Sequence, residues 1–153
     1  MAPHLGSFNN MRALILEDNR ELQIAINERL RDRFPFLGVE FFDASAKMNA
    51  FMANDPLGDI AVISLDHDLE MLAGSDGRWI DAGTGLDVVH RLTERFAPLC
   101  PVVVHTSNSL AGDEMVALLA TSRWTAYRVA PFGDLEWIDA VWFPAIRNAI
   151  VDF

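Results

Sequence analysis

Along most of the chain, apolar runs of strand length alternate with segments of helical period, the pattern of a parallel sheet covered by helices. Residues 11–16 read as a first strand. Leu22, Ala25, Ile26 and Leu30 then recur at helical spacing behind Asp18-Asn19, which can cap a helix, and Phe34-Pro35 closes it, predicting a helix over residues 20–33. Gly38–Phe42 is a short second strand, and Ala44, Met48, Phe51 and Met52 mark a second helix ended by Asn54-Asp55-Pro56. Ile60–Leu65 is the third strand. Between Leu69 and Gly83 lies a loop with Gly74, Gly77 and Gly83, longer than the usual connection of about 2–6 residues and suited to act as a lid.

The alternation continues to the end. Val88, Val89, Leu92 and Phe96 form a third helix, residues 100–105 a fourth strand, and Met115, Leu118 and Leu119 a fourth helix capped by Asn108 or Ser109. Residues 124–129 are the fifth strand. Leu135, Ile138, Trp142, Ile146 and Ile150 make a last helix that carries Pro144 inside it, where a kink or split is expected. The sum is an α/β chain of (βα)5 type, a flavodoxin-like, doubly wound fold with a five-stranded parallel sheet in the order 2-1-3-4-5. Such folds place their sites beyond the carboxyl ends of the strands. Glu17, Asp18, Asp66, His67, Asp68, His105, Thr106 and Ser107 all fall at the carboxyl ends of strands 1, 3 and 4.

At 153 residues one domain over 11–153 accounts for the chain, preceded by a flexible tail over 1–10 that has neither the charge nor the apolar run of a secretion signal. A hydrophobic content of 51% excludes a disordered chain, and no apolar run approaches the ~18 residues of a membrane span. The net charge of −10 argues against double-stranded nucleic acid as a partner, and a phosphorylated small ligand needs a cation to offset the acidic field. Cys100 is the single cysteine, at the start of an apolar strand, so it reads as a buried thiol in a reducing, cytoplasmic setting.

Taken together, these residues resemble a receiver domain, the phospho-acceptor module of two-component response regulators, over about residues 11–150. Glu17-Asp18 matches that family's acidic pair, Asp66 its phosphorylated aspartate, and Thr106 the hydroxyl residue ending its fourth strand. The exit of the fifth strand, Tyr127-Arg128-Val129-Ala130-Pro131-Phe132, is similar to the Lys-Pro-Phe signature, with Ala130 where the family has its lysine. His67 and His105 stand where receivers usually hold apolar residues. Leu65-Asp66-His67-Asp68-Leu69, Gly83-Thr84-Gly85 and His105-Thr106-Ser107-Asn108 resemble a divergent branch, the cyclic-phosphate-processing receiver domains, which implies metal-dependent processing of a cyclic phosphate.

The residue chemistry agrees with that implication. Glu17, Asp18, Asp66 and Asp68 converging at one sheet edge repel one another unless a hard cation is bound or some take up protons, and Mg²⁺ or Mn²⁺ suits oxygen ligands. Asp66, His67, His105 and Thr106 are the catalytic candidates, the two imidazoles dividing the proton work of hydrolysis. Strand alternation opposes this for His67, which points away from the acids if residues 66–68 stay extended, and puts His105 and Ser107 on the face opposite Thr106. Thr84, Ser107 and Asn108 open helices and are candidates for substrate binding or for capping alone. His4 and His90 have no assigned role; Trp124, Trp137 and Trp142 read as packing, and Trp79, in the long loop, is a candidate ligand contact. Two other functions stay open: a stand-alone receiver phosphorylated on Asp66, and a degenerate receiver that binds a partner protein, a nucleotide or a second copy of itself without chemistry.

Overall fold

In the computed structural model, which describes residues 11–152, five parallel strands form one sheet: β1 (Arg12–Leu16), β2 (Gly38–Phe42), β3 (Ile60–Leu65), β6 (Val102–His105) and β7 (Ala126–Val129). Their spatial order is β2-β1-β3-β6-β7, which is the 2-1-3-4-5 winding expected from the sequence. The tail over residues 1–10 lies outside the described residues. Five helices connect and cover the sheet: α1 (Arg20–Arg33), α2 (Ser45–Asn54), α3 (Gly85–Arg95), α4 (Ser109–Thr121) and α5 (Phe143–Asp152). No helix among the described residues is long and apolar enough to cross a membrane.

Period-2 alternation in the strands sorts the core into two layers. Leu14, Leu16, Ile63, Leu65, Val102 and Val104 face one way and pack on Met48, Met52, Val88, Leu92, Met115 and Leu119 of α2, α3 and α4. Ala13, Ile15, Val62, Val103 and Val129 face the other way and pack on Ile26 and Leu30 of α1 and on Trp142, Ile146 and Ala149 at the carboxyl end. Two polar side chains, Ser64 and His105, are buried on the α1/α5 side of this sheet. Burying them is costly unless they are hydrogen-bonded, so their partners matter.

Two elements depart from the sequence reading. The long loop after Leu69 contains a small antiparallel hairpin, β4 (Leu72–Ala73) paired with β5 (Trp79–Ile80), and a single bridge between Asp68 and Thr84 closes its base. Met71, Trp79 and Ile80 are exposed on it. Before Pro144 the helix neither breaks nor ends; instead it widens into a π-helical turn over Ile138–Trp142, in which the Phe143 N–H donates to the Ile138 carbonyl five residues back. The wider turn accommodates a proline, which has no N–H to offer and whose ring crowds the preceding turn of a regular α-helix.

Candidate metal and phosphate site

Three strand ends build the site. Glu17 follows β1 and is 2% exposed, Asp66 follows β3, and Asp18 sits beside Glu17 at the start of the turn into α1. One carboxylate oxygen from each of Glu17, Asp18 and Asp66 lies within 4.8 Å of the others. The parallel register holds them there, since the Glu17 N–H donates to the Phe42 carbonyl at 2.9 Å and the Asp66 N–H to the Leu16 carbonyl at 3.0 Å. The helix that follows is capped by Asn19, whose Oδ1 accepts the Leu22 N–H at 3.1 Å.

Gly85 is required by how closely α3 approaches this edge, and Gly83 by its own backbone and by Ser45 beside it. Gly83 has φ +74°, a left-handed conformation that favours glycine. A Cβ on Gly85 would stand 1.9 Å from the Asp66 carbonyl oxygen, and the Gly85 N–H donates to the His67 carbonyl at 3.0 Å. Gly85 therefore lets the first turn of α3 sit directly on the strand end carrying Asp66.

The electrostatics of the three acids differ. Burial, reinforced by the neighbouring Glu17 and Asp18 charges, pushes the Asp66 carboxyl up to about 6, although the His67 N–H donates to its Oδ1 at 2.7 Å. Burial also raises Asp18, against a hydrogen bond from the Glu70 N–H to its Oδ2. Burial acts to raise Glu17 as well, but the His105 imidazole and the Asn19 N–H, 3.2 and 3.0 Å from its two oxygens, outweigh it and hold this carboxyl below its ordinary value. An all-oxygen donor set of three close, partly dehydrated carboxylates with surplus negative charge fits a hard divalent cation.

The fourth acid, Asp68, stands outside the group. Its Oδ1 is 2.8 Å from His67 Nδ1 and its Oδ2 accepts from Asn108 Nδ2 at 3.4 Å. The chain bends at His67, since β3 has ended at Leu65, so residues 66–68 do not continue the extended alternation of the strand. A carboxylate only accepts, so His67 Nδ1 carries the proton and, in the neutral ring, Nε2 keeps a lone pair. His67 Nε2 has no protein partner among the described residues, and the side chain is 15% exposed.

His105 is enclosed on every side. Its ring is 1% exposed, stacks on Trp137 with centroids 5.8 Å apart at 20°, and bonds Ser64 Oγ through Nδ1 at 2.7 Å and Glu17 Oε1 through Nε2 at 3.2 Å. It lies behind Glu17, because strand alternation aims it into the layer that Trp137 closes. Thr106 is likewise buried, and its Oγ1 accepts the Asn108 N–H at 3.1 Å. Asn108 caps α4, with Oδ1 accepting the Ala111 N–H at 3.1 Å, while Ser107 is exposed beside it. Thr84 caps α3: its N–H donates to Asp87 Oδ2 at 2.9 Å and its carbonyl accepts the Asp87 N–H at 3.1 Å.

Residues 12–121 of the chain match the model of a family described as the cyclic-phosphate processing receiver domain. The chain belongs to that family. The match to this receiver family takes in all three clustered acids, His67, Asp68 and His105, and stops before β7. No curated protein matches the chain. Among solved structures, the phosphorylated cyanobacterial phytochrome response regulator RcpA aligns with TM-score 0.71 and 13% identity over 94% of this chain and 96% of its own. The response regulator domain of Thermotoga maritima CheB aligns with TM-score 0.64 and 15% identity over 92% of this chain and 96% of its own. A response regulator receiver domain from Rhodospirillum rubrum gives TM-score 0.63 and 16% identity over 92% and 94%. At these identities the likeness establishes the receiver fold.

Sequence reasoning missed Ser64, Trp137 and Trp142 as part of the site. The usable signal was Ser64 itself, a hydroxyl inside the otherwise apolar strand Ile60–Leu65, which must find a buried partner. The backbone N–H of Glu70 on Asp18 carries no sequence signal at all.

Proposed function

We propose that Glu17, Asp18 and Asp66 hold a divalent cation, Mg²⁺ or Mn²⁺, and that the receiver edge uses it to bind and hydrolyse a cyclic phosphodiester. The observation that carries this reading is the group of three carboxylates within 4.8 Å of one another, and the His67–Asp68 pair, with Nδ1 oriented by a carboxylate at 2.8 Å, follows Asp66 directly in the chain and supports it. When bound, the cation supplies charge neutralisation for phosphoryl oxygens that the acids alone would repel. His67 Nε2 takes the proton of the attacking water, Asp68 fixes the tautomer that makes this possible, and Asn108 orients Asp68. Water adds across one P–O bond, the departing ring oxygen takes a proton from solvent, and a monoester with a free hydroxyl results. Ser107 and the α4 start it adjoins offer N–H and hydroxyl donors to the phosphate.

His105 has no proton-transfer role in this reading; it holds Glu17. A second reading, phosphorylation of Asp66, is favoured by Asp66 and Thr106 ending β3 and β6 as in an acceptor site, and disfavoured by Ala130, which brings no cation to the end of β7. Incubation with Mn²⁺ or Mg²⁺ and a panel of 2′,3′- and 3′,5′-cyclic nucleotides, beside acetyl phosphate, separates the two. Turnover to a monoester, lost on Asp66→Asn, supports hydrolysis. A covalent phosphoryl mass gain without turnover, lost in the same variant, replaces it with the acceptor reading.

A further inference from the structure

Four buried polar groups join the acid pocket to the π-helical turn. Trp142 Nε1 donates to Ser64 Oγ at 3.0 Å, Ser64 Oγ is 2.7 Å from His105 Nδ1, and His105 Nε2 is 3.2 Å from Glu17 Oε1. Relative exposures are 0% for Trp142 and Ser64, 1% for His105 and 2% for Glu17. With a neutral imidazole every donor finds one acceptor in a single direction: indole N–H to hydroxyl, hydroxyl to Nδ1, Nε2–H to carboxylate. The far end is fixed too, since Asp139 of the π-turn pairs with Arg29 of α1 at 2.6 Å and Arg29 lies over the Phe143 ring at 6.0 Å. Apolar side chains would fill this layer without the desolvation cost of four polar groups, and the chain ends on a pocket carboxylate instead of closing on itself.

We infer that Trp142, Ser64 and His105 are positioning residues that set the orientation of Glu17 and hence the pocket's affinity for a divalent cation, making the carboxyl-terminal π-turn part of the metal site. This rests on the reading of the pocket as a cation site. None of the three touches the cation; each acts through the next, and only His105 through Glu17 directly.

Calorimetric titration of the metal-free protein with Mn²⁺ tests it, beside thermal unfolding in chelator for each variant. His105→Leu should lose about tenfold or more in affinity, the range for groups that orient a ligand, and His105→Gln, which can still offer an N–H to Glu17, should recover most of it. Ser64→Ala and Trp142→Phe should lose smaller amounts, about threefold for the phenylalanine, which keeps the packing and removes only the indole donor. Variants that unfold at lower temperature yet bind Mn²⁺ as the wild type does would reduce the array to core structure and overturn the inference. So would His105→Gln binding no better than His105→Leu. Absence of Mn²⁺ binding by the wild type would overturn the pocket reading and this inference together, whereas wild-type binding with unaffected variants sinks the inference alone.

Discussion

Replacing Asp66 by asparagine should stabilise the metal-free protein while abolishing its response to metal. The carboxyl is pushed from 3.8 to about 6 by burial and by Glu17 and Asp18, so at neutral pH the folded state carries a charge it holds less comfortably than the unfolded chain does. At about 1.4 kcal/mol per pH unit, a gap of about 2 sets a ceiling near 3 kcal/mol on the gain from removing that charge. Asparagine keeps the acceptor for the His67 N–H, so the one hydrogen bond Asp66 makes there survives. The sign follows from proton binding: the folded state holds the Asp66 proton more tightly than the unfolded state, so wild-type stability falls as pH rises from about 4 through about 6 and then levels. The advantage of Asp66→Asn is therefore full above about pH 7 and gone near pH 4. For a chain this size each kcal/mol moves the melting temperature by about 2–4 °C, giving a rise approaching 10 °C at pH 7.5 in chelator. Circular-dichroism melts at pH 4.5 and 7.5, with chelator and with Mg²⁺, read it. A variant no more stable than the wild type at pH 7.5, or an advantage equal at both pH values, refutes the electrostatic account of the pocket.

Gly85→Ala should destabilise by about 1–3 kcal/mol in urea melts and weaken metal binding, because its methyl meets the Asp66 carbonyl at 1.9 Å. Arg12, doubly paired with Asp55 and Asp59 at 2.7 Å on the edge opposite the site, holds both carboxyls below their ordinary 3.8. Arg12→Gln should lower the melting temperature at pH 7, with the difference holding down to about pH 4 and shrinking only as the pH falls below the ordinary 3.8 and the carboxyls take up protons in both states. Cys100 is buried and its thiol is pushed up to about 12 by that burial, so a maleimide at pH 8 should label it only after denaturation. Labelling of the native protein at the denatured rate would contradict its placement.

Much of the fold was legible because its elements bury regular stripes. The apolar runs ending in Glu17, Asp66 and Thr106 announced parallel strands, and the winding rule then put their carboxyl ends together. What periodicity does not encode was not legible. Two-residue strands at Leu72 and Trp79 have no period to read, and the π-turn ahead of Pro144 is one of several ways a helix can meet a proline. Alternation correctly set His105 opposite Thr106, yet only the position of Trp137, thirty-two residues on, decides that this face is closed to solvent. For His67 the rule's condition is not met, because the strand stops at Leu65 and the chain bends. Asp68 was grouped with the other acids because all four fall at the carboxyl edge of the sheet, and in the structure its carboxylate is engaged by His67 and Asn108.

Chromatographic separation of monoester from a 2′,3′-cyclic nucleotide incubated with Mn²⁺-loaded protein, at a metal occupancy set by calorimetry, reads the division of labour between the two histidines directly. His67→Gln at full occupancy should slow monoester formation by about 10²–10⁴-fold with Mn²⁺ affinity unchanged, while His105→Gln, also at full occupancy, should keep turnover close to that of the wild type. Turnover that survives His67→Gln, or that collapses in fully loaded His105→Gln, contradicts the assignment of His67 as the proton acceptor and His105 as the support behind Glu17.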